Sequence, residues 1–489
     1  MSICKYSSYD IVIAGSGASG CAAAVQAGQE GLSVLLVEKA DAVGGCGVFT
    51  EGLLGLQTAE AKAQGIEITP EEVFKEEAEF SKYKANLPIL RNLINASNDT
   101  VEWLRNLGVS FDPITAMGHG KPVMQPYKGG GWAVINDALI PNAKKLGAEI
   151  LTSTALVELH ADEAGDIEGV TLRNESTGET EFIATRAVVV GTGGYINNEE
   201  MLREYTNYDI DRFVPLNHGH ATGDGSRSMW SVGARKHRVG TLMVYGAFLK
   251  DSEQPTFAMM NHLTNAAAMQ PLLWVNEKGL RFVNEDVVFN MVMAGNANLS
   301  QNKVFSILSQ DNVNRLIEVG NFVGMGLAVR NGDKLDQLQH LIDGAVNGHK
   351  TYIQKANSLP ELAEKLGVPA DTLQKTIADY NHYAETQTDE QFGKPAEYLL
   401  KVEGGPFYGF VLSTCGFCSM GGVEVNTRNE VISEENGAIC GLYATGNESS
   451  GMLVGDSYDY TNGGLAVSYS FYSGRNAATN AAAYLKERA

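Results

Sequence analysis

The fold is decided by the stretch YDIVIAGSGASGCAAAVQAGQEGLSVLLVEK, residues 9–39. Two short apolar runs, IVIA and VLLV, flank a glycine-rich turn and an alanine-rich segment. Short runs that are apolar throughout are typical of parallel strands covered on both faces. The order strand, turn, helix, strand predicts a βαβ unit, and therefore an α/β domain.

The turn after the first strand reads Gly15-Ser16-Gly17-Ala18-Ser19-Gly20. Glycines at this spacing allow a tight turn, let a pyrophosphate approach the backbone, and let the helix pack closely on the sheet. Phosphates would lie at the helix N-terminus, where backbone N–H groups and the helix dipole favour anions. The turn therefore predicts a Rossmann-type dinucleotide site.

Two further features support this interpretation. Glu38 ends the second strand, at the spacing where a carboxylate accepts hydrogen bonds from a ribose, which favours a dinucleotide without a 2′-phosphate. The alternative is a solvated carboxylate at a strand end. A second glycine cluster, AVGGCG at residues 42–47, would let the backbone wrap around a large cofactor.

The length of the chain predicts two domains, because 489 residues exceed what a single core supports. Residues 147–194 read as consecutive strands that return to the first sheet. Between residues 236 and 395 the sequence becomes rich in Met, Asn and amphipathic helices, with helix starts predicted at Leu359-Pro360 and Val368-Pro369. We predict a discontinuous cofactor-binding domain over 1–236 and 396–489, and an inserted α+β capping or substrate domain over 237–395.

Charge and composition exclude several classes of function. Lys plus Arg number 37 against 58 for Asp plus Glu, and the net charge of -21 opposes binding to nucleic acid or anionic lipid. The first residues lack signal-peptide features, and no apolar run approaches the ~20 residues of a membrane-spanning helix. Six cysteines do not form a disulfide framework in a chain of this length, so a cytoplasmic protein is predicted.

Six segments resemble a known family: EKADAVGG (38–45), VVVGTGGY (188–195), HATGDG (220–225), WVNEKGLRFVNE (274–285), SMGGVEVN (419–426) and LYATGNESSG (442–451). They are similar to the FAD-containing flavoproteins of the fumarate reductase and succinate dehydrogenase group, which includes soluble fumarate reductases and 3-ketosteroid dehydrogenases. The resemblance runs from about residue 8 to 485. It implies FAD as the cofactor and an oxidoreductase as the activity.

Together with the glycine turn, the resemblance implies these FAD contacts: Gly15, Ser16, Gly17, Ala18, Ser19, Gly20, Glu38, Lys39, Gly45, Cys46, Gly47, Thr50, Gly52, Leu53, Thr192, Gly193, Asp224, Asn447, Gly464 and Leu465. Asn447 stands where many members carry an acidic residue, and an amide can still hydrogen-bond a ribityl hydroxyl. Membrane-complex members attach FAD through a histidine, but the matching loop, CGVFTEGLL at 46–54, has none. Non-covalent FAD is therefore expected.

The residues expected to bind a dicarboxylate are absent. Compared with dicarboxylate-reducing relatives, Asn265 replaces a Glu and Ala268 an Arg of the proton relay, and Phe289 replaces the proton-donating Arg. The histidine before the family's TMGG motif is replaced within residues 416–422. Because a dianion buried without charged partners is strongly penalised, fumarate and succinate are not the expected substrates.

Aromatic residues stand in or near these places: Tyr245, Phe289, Phe417, Tyr458 and Tyr460, with Tyr127 and Trp132 in another loop. Such a pocket suits an aromatic or polycyclic substrate with little charge, although ordinary packing accounts equally well for about half of these rings. Cys415 and Cys418 form a CxxC without a second pair, which favours packing over a metal site. No metal is expected. His218, His220 and His262 have structural alternatives to any role in a site.

The resemblance also suggests catalytic residues. In 3-ketosteroid dehydrogenases a tyrosine, followed four residues later by a glycine amide, polarises a ketone; Tyr460 and Gly464 have that spacing, whereas ungapped counting favours Tyr458. Tyr245 and Tyr127 are the candidates for handling the proton that accompanies hydride transfer at flavin N5. A tyrosine with an ordinary pKa suits proton donation.

Three functions remain open at this point. The first is an ene-reductase, in which reduced FAD delivers hydride to a carbonyl-activated C=C bond. The second is the reverse reaction, a ketone dehydrogenase, and the third is a flavin-binding electron-transfer subunit. The sequence contains no haem motif, no iron–sulfur cysteine set and no second glycine motif for a nicotinamide. An external electron donor or acceptor is therefore expected beside a small-molecule substrate.

Overall fold

The computed structural model describes residues 3–117, 120–326, 328–435, 437–455 and 461–488. The chain divides into two compact units, one formed by Met1–Asn207, Asn217–Met243 and Phe417–Ala489, the other by Tyr208–Leu216 and Val244–Gly416. The chain passes between the units at 207/208, 216/217, 243/244 and 416/417, whereas the domain boundaries were predicted at 236/237 and 395/396. Residues 396–416 join the second unit because the strand Phe407–Ser419 pairs there with Val304–Ser309 and Ile353–Ala356.

A six-stranded sheet forms the centre of the first unit. Its strands run in the order Glu430–Ile432, Ala438–Ala444, Val188–Val190, Ile11–Ala14, Val34–Val37 and Glu149–Leu151. All neighbours are parallel except the first pair. The central strands are buried over their whole length, as their apolar sequences predict. The α/β class with a Rossmann-type arrangement is confirmed.

One part of the sheet prediction was wrong. Only Glu149–Leu151 and Val188–Val190 return to the main sheet, whereas Thr154–Ala161, Ile167–Asn174 and Thr180–Ala184 form a separate antiparallel sheet. The burial of Ile167–Asn174 is interrupted by exposed residues, which is typical of a sheet with one covered face. The first unit also contains the hairpin strands Gly52–Leu54, Thr115–Ala116 and Pro122–Pro126, and the pair Lys236–His237 and Gly422–Val423.

Two alanine-rich helices cover the main sheet, Ala18–Gln29 and Leu465–Glu487. They approach closely at Gly474, where a side chain would not fit: a Cβ there would lie 2.1 Å from the carbonyl oxygen of Ser19. The other helices of this unit are Ala59–Ala63, Pro70–Phe80, Leu87–Asn95, Ser97–Asn106, Gly130–Ala133, Ile140–Lys145, Glu199–Tyr205 and Asp224–Ser231, with a π-helical turn at Val134–Leu139.

The second unit is α+β. Its sheet contains Phe213–Pro215, Leu242–Phe248, Trp274–Asn276, Val304–Ser309, Ile353–Ala356 and Phe407–Ser419. Its helices are His262–Ala268, Met291–Leu299, Gln310–Glu318, Leu338–Asn347, Leu359–Leu366 and Ala370–Thr386. The last two begin where the prolines predicted, and Ser358 caps the first of them. Within the described residues, none of the helices combines the length and apolar character needed to cross a membrane.

Candidate active site

Glycines bring three backbone segments together at the carboxyl ends of the parallel strands. Gly15 has φ +96°, and a Cβ there would lie 2.3 Å from the carbonyl oxygen of Gly191. A Cβ on Gly45 would lie 3.5 Å from the Cα of Gly17. By contrast, a Cβ on Gly17 would have no atom of the described chain within 4 Å. This cradle, residues 15–17, 44–47 and 191–194, therefore leaves one side of Gly17 accessible.

Glu38 ties this cradle together. Its side chain is only 8% exposed, and Oε2 accepts hydrogen bonds from the Ser16 backbone N (2.9 Å) and hydroxyl (2.8 Å), while Oε1 accepts from Ala40 N (2.9 Å). The Ser16 hydroxyl in turn accepts from Gly44 N at 3.1 Å. Glu38 is thus not a solvated carboxylate, and a carboxylate has further lone pairs for ribose hydroxyls.

The helix that starts at Ala18 points its N-terminus at the cradle. Gly17 is the N-cap, and no side chain of the described residues caps this helix. The first backbone N–H groups of a helix lack partners within the helix, so they are available to a ligand. An uncapped N-terminus beside a glycine suits a phosphate.

Lys39 and Asp224 pair with each other at the edge of the same region. Lys39 Nζ lies 2.6 Å from Asp224 Oδ2 and 2.5 Å from the Thr222 hydroxyl. Asp224 also accepts a hydrogen bond from the Thr222 hydroxyl at 3.0 Å. These predicted contact residues thus form one polar cluster, in which Lys39 holds the start of the helix Asp224–Ser231.

Sequence reasoning missed Glu448, the residue after Asn447. Glu448 is fully buried, bonds to the Thr192 hydroxyl, and accepts the backbone N–H groups of Gly193 and Gly194 at 3.0 Å each. Burial raises the pKa of its carboxyl, against the effect of these donors. Asn447 Nδ2 lies 3.4 Å from the Gly193 carbonyl oxygen. Asn447 stands where many family members carry an acidic residue, and the next residue, Glu448, fixes the turn 192–194.

The loop from Gly45 to Leu54 is held by backbone contacts. The Thr50 hydroxyl donates to the Gly47 carbonyl at 2.8 Å, and a Cβ on Gly52 would lie 2.6 Å from the Gln125 carbonyl oxygen. Burial raises the pKa of the Cys46 thiol to about 11, so this thiol is neutral. The ring of Phe49 stacks on His218, with centroids 4.4 Å apart.

The remaining residues predicted for the site in this part of the chain differ in burial and in whether the structure describes them. Tyr127 is 4% exposed, and its hydroxyl has no hydrogen-bond partner at good geometry among the described residues, although the Thr50 hydroxyl is nearby. Trp132 is 57% exposed. Tyr458 and Tyr460 lie outside the described residues. Leu465 is the first residue of the long helix that follows Gly464.

Gly464 needs to be a glycine. It is the N-cap of the helix Leu465–Glu487 with φ +85°, and a Cβ there would lie 2.4 Å from the backbone carbon of Leu53. The Leu54 N–H donates to the Ser468 hydroxyl at 2.8 Å. The start of this helix is therefore fastened to the loop that carries Leu53.

In the second unit, three amides occupy the region where a charged relay is expected. Asn265 is fully buried; its Nδ2 donates to the Val323 carbonyl at 2.9 Å, and its Oδ1 accepts from Gln270 (3.0 Å) and Asn321 (3.2 Å). Gln270 Oε1 accepts the Phe322 N–H at 2.8 Å. This amide network is neutral, and its members bind one another.

Phe289 packs in an aromatic cluster. Its ring centroid lies 4.9 Å from that of Tyr398, which lies 5.3 Å from that of Phe322. His262 is engaged locally, because its Nδ1 accepts the Gln337 N–H at 3.3 Å. The Tyr245 carbonyl accepts the Cys415 thiol at 2.8 Å.

The CxxC residues are buried, and burial raises the pKa of both thiols. In the first unit, Cys418 Sγ lies 3.7 Å from Met243 Sδ and 3.8 Å from Met420 Sδ. Packing accounts for both cysteines.

A buried charge network was also missed from the sequence. Arg281 bonds to Glu285 (2.7 and 2.8 Å) and to Asp389 (2.8 and 2.9 Å), and Lys394 lies 3.2 Å from Glu285. Burial would raise the pKa of Asp389, but the hydrogen bonds from Arg281 and the Lys394 N–H hold it at about 2. Arg281 and Glu285 lie four residues apart in the motif GLRFVNE, and these opposite charges in a mostly apolar stretch were the sequence signal for an ion pair.

The residues of the first unit fit a flavin dinucleotide. The cradle leaves room for a phosphate beside Gly17, the helix N-terminus supplies N–H groups, and Glu38 offers acceptors to a ribose. The buried Tyr127 hydroxyl, which has no hydrogen bond of good geometry among the described residues, is a further polar group for a bound molecule.

Comparisons with known proteins agree with this geometry. The family model described as "FAD binding domain" matches residues 10–456. The chain is 46% identical to vinyl phenol reductase of Lactiplantibacillus plantarum, over 100% of this chain and 99% of that protein. It is 28% identical to NADH:fumarate oxidoreductase of Klebsiella pneumoniae, over 92% of this chain but only 45% of that longer protein.

A solved structure, the 3-ketosteroid Δ1-dehydrogenase of Sterolibacterium denitrificans, superimposes with a TM-score of 0.79 at 19% identity, covering 98% of this chain and 100% of that one. This likeness supports the fold. On the family match and the full-length similarity, the chain belongs to the FAD-binding flavoproteins of the fumarate reductase group, and it is an FAD-dependent oxidoreductase acting on CH–CH groups.

Proposed function

We propose that this protein reduces the C=C bond of a weakly charged aromatic substrate, and that a vinylphenol is the leading candidate. The observation that carries the proposal is the 46% identity to vinyl phenol reductase along essentially the full length of both chains. The neutral residues at Asn265, Ala268 and Phe289 support it, because they offer nothing to neutralise a dicarboxylate.

The chemistry of a vinylphenol differs in one respect from a carbonyl-activated alkene. Its phenol hydroxyl, when it lies para to the vinyl group, donates electrons and so favours protonation of the terminal vinyl carbon. Loss of the phenol proton then gives a quinone methide, which accepts hydride at the benzylic carbon and regains a proton on its oxygen. Reduced FAD, when bound, supplies a hydride to one vinyl carbon. The other vinyl carbon takes a proton, so that the vinyl group becomes an ethyl group. The protein must hold a neutral ring, exclude water and deliver that proton.

Tyr127 suits the role of proton donor. Burial raises the pKa of its phenol well above the usual range, which keeps it protonated but makes it a weaker acid. Its candidacy therefore rests on its buried place in the FAD-binding unit. Its buried hydroxyl lies near the Thr50 hydroxyl and has no hydrogen bond of good geometry among the described residues. Tyr245, and Tyr458 or Tyr460 with the Gly464 amide, are the other proposed groups for proton transfer and for polarising the substrate. Tyr127→Phe should lower turnover with little loss of FAD.

The compartment, cofactor attachment and electron source are parts of the same proposal. All six cysteines are free thiols, which supports the cytoplasm as a reducing compartment. FAD is held without a covalent bond, so acid precipitation should release all flavin into the supernatant. The electron donor is an external partner.

The proposed function is tested with purified holoenzyme, reduced anaerobically by one equivalent of dithionite. Addition of 4-vinylphenol should restore the oxidised flavin spectrum within seconds and yield 4-ethylphenol. Fumarate should leave the flavin reduced, and 4-methoxystyrene should react far more slowly because its oxygen cannot ionise. Rapid reoxidation by fumarate, or none by 4-vinylphenol, would overturn the proposal. Bleaching of oxidised enzyme by a saturated 3-ketosteroid would favour the dehydrogenase instead.

A further inference from the structure

A buried carboxylate in the first unit has no role in the chemistry described so far. Glu77 lies on the helix Pro70–Phe80, which begins with a capping box between Thr69 and Glu72, and it is 2% exposed. Its Oε1 accepts four hydrogen bonds from two consecutive residues: Thr461 N (3.1 Å) and hydroxyl (2.9 Å), and Asn462 N (3.0 Å) and Nδ2 (2.8 Å). All four donors are uncharged.

Burying a carboxylate among uncharged donors costs folding free energy, so stability alone does not explain Glu77. Burial raises the pKa of the Glu77 carboxyl, against the effect of its four donors. Apolar residues of similar size often replace buried charged groups without loss of stability. A carboxylate kept at such a site fixes the position of the groups that it binds, because four hydrogen bonds to one atom specify the backbone of Thr461 and Asn462.

The backbone that Glu77 holds leads directly into Gly464. A Cβ on Gly463 would lie 2.8 Å from Met117 Sδ, and one on Gly464 would lie 2.4 Å from the Leu53 backbone. Gly463 and Gly464 are thus packed against two other segments, and Glu77 accepts four hydrogen bonds from Thr461 and Asn462 just before them. The Gly464 amide and the N-terminus of the helix Leu465–Glu487 follow from that placement.

We propose that Glu77 is a positioning residue of the active site: through Thr461 and Asn462 it sets the Gly464 amide and the start of the last helix toward the flavin and the substrate. The proposal rests on the proposed function for the part that concerns substrate. For the part that concerns the flavin it rests only on the FAD-binding family and on the contacts between Gly464 and Leu53.

The test compares holoenzymes carrying Glu77→Ala, Glu77→Gln and Glu79→Ala. Glu79 lies on the same helix, exposed and paired with Lys75, and serves as the matched control. Glu77→Ala should change the visible circular dichroism of bound FAD and slow reoxidation by 4-vinylphenol about 30-fold, because small misplacements in a site have effects of that order. KM should change less than kcat. Glu77→Gln keeps an acceptor oxygen and should recover most of the rate.

The proposal is overturned if the flavin spectrum and rate of Glu77→Ala match those of wild type and Glu79→Ala, or if Glu77→Gln is as slow as Glu77→Ala. Should Glu77→Ala yield no folded holoenzyme, Asn462→Ala removes one of the four donors and replaces it in the comparison. Its expected drop is about fivefold, and an unchanged spectrum and rate would again refute the idea. If wild type itself ignores 4-vinylphenol, the proposed function fails, and the flavin spectra still decide the role of Glu77.

Discussion

The polar groups around Gly17 in the first unit and those around Asn265 in the second differ in whether the chain itself satisfies them. In the first, the cradle around Gly17 has a free side, an uncapped helix N-terminus and a Tyr127 hydroxyl without a hydrogen bond of good geometry among the described residues. In the second, Asn265, Gln270 and Asn321 satisfy one another, and Arg281 binds two carboxylates. Both units also contain other buried polar atoms without a described partner, such as the Ser226 hydroxyl in the first and the Thr264 and Ser306 hydroxyls in the second. The contrast therefore concerns these two sites and not the units as wholes.

The difference teaches what each kind of residue does. A change at Gly17, where a Cβ would meet no described atom, should alter FAD affinity with little effect on the apoprotein. Changes in the amide and charge networks of the second unit should alter stability first. Each prediction below separates these two outcomes.

The largest effect is expected from Gly17→Val. A side chain there meets no described atom, but it would occupy the space that a pyrophosphate needs. FAD affinity should fall at least about 100-fold, a loss of about 2.7 kcal/mol, while the apoprotein unfolds within about 1 kcal/mol of wild type. Titration of apoprotein with FAD, followed by flavin fluorescence, measures this.

Gly344→Val is the matched control, because Gly344 lies on the helix Leu338–Asn347 with equally open surroundings. It should leave FAD binding unchanged. Tight FAD binding by Gly17→Val would mean that the cradle does not approach the pyrophosphate.

Glu38→Ala is expected to weaken FAD binding about 30-fold, or about 2 kcal/mol, because hydrogen bonds to a carboxylate are worth about 1.5–3 kcal/mol. Glu38→Gln keeps an acceptor oxygen, so its FAD affinity should lie between those of wild type and Glu38→Ala. Flavin retained after gel filtration gives a first measurement, and the dissociation constant a second. Wild-type retention by Glu38→Ala would show that the ribose assignment is wrong.

Asn265→Ala should act on stability instead. It removes the three hydrogen bonds that this buried side chain makes with Val323, Gln270 and Asn321, which should cost about 2 kcal/mol in the free energy of urea unfolding. Asn296→Ala removes only a hydrogen bond within its own helix and should cost less than about 0.5 kcal/mol. If Asn265→Ala instead weakened FAD binding without loss of stability, the contrast between the two sites would fail.

The smallest effect is a pH dependence. Because Arg281 holds the pKa of Asp389 at about 2, below its ordinary 3.8, ionised Asp389 stabilises the fold above pH 4, and this contribution is lost as the pH falls toward 2. At neutral pH wild type should be more stable than Asp389→Asn. The gap should narrow by about 1.5 kcal/mol on going from pH 5 to pH 2.5.

Urea unfolding at each pH measures the narrowing. A gap that stays constant over this range would show that Asp389 is not an ionised partner of Arg281.

Several features of the site were predictable because they are local in sequence. Gly15, Gly17 and Glu38 lie within one βαβ unit, and their spacing alone specifies the turn and the strand end. The replacements at Asn265 and Phe289 were visible from the motifs beside them. The partner sheet for residues 154–184 was not predictable, because strand pairing is decided by contacts that a single run does not reveal.

The sequence by itself determined that the chain binds a dinucleotide and lacks the charges for a dicarboxylate, since both depend on residue types at short spacing. Only the tertiary structure decided that Glu448 holds the turn at Gly193 and that Glu77 holds Asn462, pairs that are 255 and 385 residues apart in the chain. The role of a buried carboxylate depends on the hydrogen-bond donors that surround it. Those donors arrive from distant segments when the chain folds.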